Sequence, residues 1–183
     1  MQKFFLILLI SITCTLAKAE QSTYDFQNNL GINILAIPVA NGVVTYERFF
    51  NKQSVWIGLE HHFNEPEDGS DRNTNSVALE YRRYFTGKSS RADGLFAGVY
   101  AKTRWGKEIN QENRSEFHRY TVLFSGLNAG YQYHIKRLVF SAFVGYGIPL
   151  ALAEESFPAG NPEDLNQGYK MDLRIGLTVG FAF

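Results

Sequence analysis

Residues 171–183 read MDLRIGLTVGFAF. Along an extended chain, Met171, Leu173, Ile175, Leu177, Val179, Phe181 and Phe183 share one face. Asp172, Arg174, Gly176, Thr178, Gly180 and Ala182 share the other. The period is two without a break, which predicts a β-strand. One face is large and apolar. The other begins charged and ends small. A soluble sandwich would bury the first face and wet the second. A membrane-spanning barrel would show the first to lipid and the second to a narrow polar interior. The rest of the chain decides between them.

Alternating runs recur at roughly 29–38, 43–50, 54–63, 76–85, 95–105, 120–135, 138–152 and 169–183. Most are long enough for a tilted barrel strand. None has a helical period. Taking the outward face as apolar, the other face collects Glu47, Glu60, Glu80, Arg82, Lys102, Arg104, Lys170, Asp172 and Arg174. Val44, Ile57, Leu79, Val99, Leu127 and Val144 lie on the apolar side. Arg48, His61 and Arg83 break the rule, but each lies near a strand end, where water is close. A lipocalin-like soluble barrel needs the opposite arrangement, an apolar interior and a polar exterior. The expected fold is therefore all-β: an eight-stranded antiparallel up-and-down transmembrane β-barrel spanning residues 20–183.

An eight-stranded barrel is just wide enough to be filled by side chains. The nine inward charges are expected to form a structural salt-bridge network, with frequent glycines making room for them. A narrow pore lined by the same charges is the alternative. With both chain ends on one side, the connections NKQ, TGKSSRADG and KR are the turns on that side. VANG, NEPEDGSDRNT, GKEINQENRSE and AEESFPAGNPEDLNQG are the outer loops, three of them long.

The chain opens MQKFFLILLISITCTLAKAE. Lys3, an apolar run from Phe4 and the A-x-A site Ala17-Lys18-Ala19 predict a cleaved secretory signal peptide over residues 1–19. The rivals are an uncleaved anchor, for which the apolar run is short, and lipidation at Cys14, for which Ile12-Thr13 fits poorly. Cys14 is the only cysteine, so the exported domain would hold neither disulfide nor thiolate metal site. Net charge is zero and carries no nucleic-acid footprint.

Three stretches carry a family likeness: NLGINILAIPVANGVVTYERFFNKQSVWIGLEHHF, ALEYRRYFTGKSSRADGLFAGVYAK and GLNAGYQYHIKRLVFSAFVGYG. Together they resemble a poorly characterised family of small bacterial outer-membrane barrels, built like the eight-stranded outer membrane protein A/X type, whose shared domain has no assigned function. The resemblance implies an outer-membrane location and supplies no catalytic residues. The ending also resembles the signal read by the barrel-assembly machinery, with Leu177, Val179, Phe181 and Phe183 as the recognised positions. That implies biogenesis through periplasmic chaperones and that machinery.

Chemistry is sparse. Some eight-stranded barrels are lipid A deacylases, and that reaction needs a nucleophile and base within reach. The candidates are His61, His62 and His118, with Glu60 or Glu116 to orient them and Ser115 nearby. The His-x-Ser strand motif is missing, since Arg119-Tyr120 follows His118. His61 and His62 point to opposite faces and cannot share a metal on a regular strand. NEPEDGSDRNT lacks the spacing of an EF-hand. The expected protein is a monomeric, cofactor-free, non-enzymatic barrel that contacts outer-membrane lipid and lipopolysaccharide. Its role would be structural or carried by its loops, with an outer-leaflet lipid-modifying enzyme as the alternative.

Overall fold

Eight strands follow one another in a computed structural model that describes residues 26–37, 41–63, 70–86, 92–110, 117–157 and 171–183. They are β1 (Asn28–Asn33), β2 (Asn41–Phe50), β3 (Gln53–Phe63), β4 (Ser70–Tyr84), β5 (Gly94–Asn110), β6 (Phe117–Ile135), β7 (Leu138–Phe157) and β8 (Asp172–Ala182). Each pairs antiparallel with its chain neighbour, and β8 pairs with β1, so the sheet closes into a barrel. Closure pairs β1 on both sides, with β2 and with β8.

The register fixes the tilt. Asn29 leads across the wall to Glu47, Trp56, Glu80, Tyr100, Gly126, Gly147 and Asp172. Extending the Asn33↔Thr178 register places Asp172 opposite position 39, a stagger of ten residues from 29. A staggered barrel must tilt its strands, typically by about 35–45°.

Two turns are as tight as a hairpin allows. Phe50 pairs with Gln53 across Asn51-Lys52, and Ile135 pairs with Leu138 across Lys136-Arg137. Asn51 and Lys136 take the left-handed backbone (φ 55 in each) that two-residue hairpins use. The far end is built differently. β5, β6 and β7 run for 17, 19 and 20 residues, against six for β1. These bounds correct the expected ones. β1 stops at Asn33 in a turn rather than reaching 38, and β4 to β7 extend into the expected loops. The SDRNTN start of β4 has no apolar residue, so alternation cannot reveal it, yet backbone pairing with β5 continues.

The faces sort as the alternation predicts. On β8, Asp172, Arg174, Gly176, Thr178 and Gly180 are buried, while the intervening residues are exposed or half-exposed. Arg48 and Arg83 face outward and are exposed. Inside, rings of Phe49, Tyr84, Phe96 and Phe143 gather with Ala92 toward the end that carries the tight turns. Tyr120, Val122 and Phe124 form a second apolar cluster toward the long-hairpin end. The β6–β7 register shifts there, with Leu123 opposite Ala151 and Phe124 opposite Pro149. Pro149 has no N–H to give the ladder, which is where a bulge is tolerated.

Glycines make room chiefly for rings rather than for charged chains. An added Cβ at Gly58 would meet the Trp56 indole at 2.3 Å, and one at Gly176 the Phe143 ring at 2.3 Å. Gly126 is tighter, because its obstacles include backbone: Tyr146 O at 2.3 Å and Gly147 Cα at 2.7 Å. Gly126→Ala is therefore expected to lower unfolding free energy by about 1–3 kcal/mol. Gly145→Ala should cost less, since its nearest neighbour stands at 3.0 Å. Equilibrium urea unfolding of the two variants checks the order.

Candidate functional site: a charge network inside the barrel

Alternation on five strands brings the inward charges together. Glu47 comes from β2, Glu60 from β3, Glu80 and Arg82 from β4, Lys102 and Arg104 from β5, and Asp172 and Arg174 from β8. Lys170 lies outside the described residues. The eight that are placed comprise four carboxylates and four cations, so their formal charges cancel.

The network begins at Glu47. Its Oε1 accepts from Ser54 Oγ at 2.5 Å and from Tyr84 Oη at 2.7 Å. Arg82 Nη1 stands 3.5 Å from the same oxygen. Arg82 Nε donates to Glu80 Oε1. Glu80 Oε2 then accepts from Arg174 Nη1 at 3.0 Å. Arg174 also stacks on Tyr100, with its guanidinium carbon 4.4 Å from the ring centre. Tyr100 Oη donates to Asp172 Oδ2 at 2.9 Å. Asp172 Oδ1 takes Arg104 Nη2 at 2.7 Å and Lys102 Nζ at 3.3 Å. Lys102 reaches on to Glu60 Oε2 at 2.9 Å, where Ser76 Oγ donates at 2.8 Å. One connected chain thus runs along the interior.

Burying an ion costs several kcal/mol unless pairing and hydrogen bonding replace its water. Here each carboxylate meets both a cation and a hydroxyl or second cation. Aromatic faces complete the solvation of the arginines. Arg82 lies 5.0, 4.6 and 5.6 Å from the ring centres of Trp56, Phe96 and Phe143. Arg174 shares Trp56 and Phe143, at 5.1 and 5.4 Å. Cation–π contact strengthens where water is excluded. Water is excluded here: Glu80 is 0 % and Arg82 1 % exposed. A water-filled passage would leave its lining accessible, so the Glu47–Arg82–Glu80 level is occluded.

Alternation identified the charges but missed their partners. Those partners are Ser54, Trp56, Ser76, Tyr84, Phe96 and Phe143. Parity places each on the inward face, Trp56 between Val55 and Ile57 for example. Packed arginines need rings as well as carboxylates, and alternation does not mark a ring as an arginine's partner.

The other candidates do not converge. His61 Nδ1 is 2.7 Å from Asn75 Oδ1 on the outward face, while Glu60 points inward to Lys102 and Ser76. Glu60 therefore cannot orient His61. Ser115, Glu116 and the His118 side chain lie outside the described residues. Among the described residues, no three of His, Cys, Asp and Glu group to hold a metal. Leu177, Val179, Phe181 and Phe183 do share the outward face of β8. Phe183 exchanges two backbone hydrogen bonds with Asn28, at 2.9 and 3.1 Å. No family model, curated protein or solved structure matches this chain.

Removing Glu80 would strand Arg174 and half of Arg82. Glu80→Ala should lose about 3–5 kcal/mol of stability. Adding Arg174→Met should cost less than the sum of the two single changes, because the stranded charge is removed too. Urea unfolding of the double-mutant cycle measures the coupling. A cost under about 1 kcal/mol for Glu80→Ala would show that the network carries no structural weight.

Proposed function

We propose that this chain is an integral β-barrel of the bacterial outer membrane with a sealed, charge-balanced interior. The observation that carries the reading is the exterior. Leu79, Val99, Leu127, Val144, Leu173 and Ile175 are each more than half exposed, on adjoining strands of a wall whose charges are inside. So continuous an apolar surface is not left to water by monomeric soluble proteins. Lipid is its natural solvent.

Dimensions support the same reading. On β5 the outward residues stay free of charge from Leu95 to Trp105. At about 3.3 Å per residue and a tilt near 40°, that stretch rises about 25 Å. An outer-membrane apolar band is about as tall. Phe50, Phe85, Phe181 and Phe183 are exposed near the tight-turn end beside Arg48 and Arg83. Aromatic rings bordered by cations mark a membrane interface. The N-terminal segment 1–19 fits a cleaved export signal, and Leu177, Val179, Phe181 and Phe183 fit a face read by the assembly machinery. The sheet closes on itself through β1–β8, which favours a monomer.

Within that location the role is structural, or carried by whatever the long β4–β5 and β6–β7 hairpins meet outside. The occluded interior argues against conduction, and the hydroxyl–carboxylate pairs Ser54–Glu47 and Ser76–Glu60 belong to the interior network. Fractionation of a cell envelope expressing the full chain should place it in the outer membrane, with faster gel migration unboiled than boiled. Purified barrel in a planar bilayer should give no steady conductance. Recovery in the soluble fraction would overturn the membrane reading, and a stable open channel would overturn the sealed interior.

A further inference from the structure

The two ends of the barrel differ in charge. The segments joining strands at the long-hairpin end, 64–74, 106–116 and 153–168, hold eleven acidic and three basic residues. Those joining strands at the tight-turn end, 51–53, 86–94 and 136–137, hold one acidic and five basic residues. Two more cations stand at the tight-turn end on the wall itself. Arg48 lies two residues from the end of β2, and Arg83 one residue from the end of β4, both facing outward. With Lys52, Lys136 and Arg137 they form a rim of five exposed cations.

What these cations touch orients them without neutralising them. None of the five is in an ion pair among the described residues. Arg48 Nη1 donates to Asn28 Oδ1 at 2.9 Å and its Nη2 to Gln27 Oε1 at 3.3 Å, both uncharged acceptors. Its guanidinium carbon is 5.7 Å from the Phe50 ring centre. Arg137 lies 5.2 and 5.7 Å from the ring centres of Phe26 and Phe181. Phe50, Phe85 and Phe181 are exposed on the same rim. Rings at this depth border the hydrocarbon, and a cation beside them sits at the level of lipid phosphates. Arg48 and Arg83 project sideways from the wall, toward neighbouring lipid rather than along the barrel axis. Guanidinium and ammonium groups are the donors that a phosphate accepts. A phosphate at the opposite end would meet predominantly acidic segments. The charge asymmetry therefore assigns the anion to the leaflet at the tight-turn end.

We propose that the tight-turn rim binds the phosphate headgroups of anionic phospholipids in the inner leaflet, with Arg48, Lys52, Arg83, Lys136 and Arg137 as the contacts. The inference rests on the outer-membrane reading and names the lipid met on its inner side. The two can fail separately. A barrel that inserts into vesicles and immobilises lipid at its wall, yet ignores headgroup charge, loses the inference and keeps the location.

Folded barrel is reconstituted in phosphatidylcholine vesicles containing a trace of spin-labelled lipid. The label sits at the same acyl position on phosphatidylglycerol or on phosphatidylcholine. The motionally restricted fraction of the spectrum reports lipid held at the wall. Phosphatidylglycerol should be preferred about threefold or more. Changing Lys52, Arg83 and Arg137 together to Gln should remove most of that preference, and Lys52→Arg with Arg83→Lys and Arg137→Lys should keep it. Lys107→Gln with Arg119→Gln, at the other end, should leave it intact. Replacing chloride by inorganic phosphate at equal ionic strength should also leave it intact. Equal restriction of the two lipids would overturn the proposal without recourse to any variant. An unchanged preference in the triple Gln variant would overturn it as well. So would loss of the preference in the Lys107 and Arg119 variant, which would move the contact to the other rim, or in phosphate, which would assign the rim to a soluble anion.

Discussion

A guanidinium enclosed by eight strands must be solvated by the protein or not at all. Arg82 is in that position, 1 % exposed, and much of the interior can be read as its solvation shell. Two carboxylates supply countercharge, Glu80 on its own strand and Glu47 from β2, two strands away. Trp56, Phe96 and Phe143 supply polarisable faces on three sides. Those rings in turn need space, which Gly58, Gly130 and Gly176 leave free. Each dependence is local, but together they tie β2, β3, β4, β5 and β7 to one side chain. Because the network pairs four carboxylates with four cations, no member can be removed without stranding another.

The exterior follows from the same decision. Period-two alternation gives each strand only two faces, so a wall with charges inside must carry its aliphatic residues outside. In water that wall would be a liability, and in a bilayer it is the solvated surface. The long hairpins of β4–β7 then continue beyond the apolar band, where both faces can be polar. Asn73, Lys107 and Arg119 belong to that upper zone.

What could be read in the sequence was whatever alternation encodes. MDLRIGLTVGFAF placed Asp172 and Arg174 inside and Leu173 and Ile175 outside, and the structure places them there. The eight strands and their order of pairing were legible for the same reason. Strand ends were not, because SDRNTN has no apolar residue, and GKEIN of β5 and EESF of β7 hold one each, too few for a periodic signal. Nor was the early end of β1 at Asn33, since the ILAIP that follows is apolar at every position and carries no turn residue before Pro38. The partners within the network were equally hidden. Glu47 meets Tyr84 and Ser54, and Arg174 meets Tyr100, only because a stagger of ten residues brings those levels together.

The central claim is that the barrel is inside-out relative to a soluble protein, and one measurement addresses it directly. Nuclear Overhauser contacts between protein methyl groups and detergent acyl chains can be recorded on the full barrel in micelles. Leu79, Val99, Leu127, Val144 and Leu173 should all contact the acyl chains. Val122 and Val139, at 0 and 1 % exposure, should contact only protein. Acyl contacts at Val122 or Val139, or their absence along the Leu79–Val99–Leu127 wall, would contradict the account.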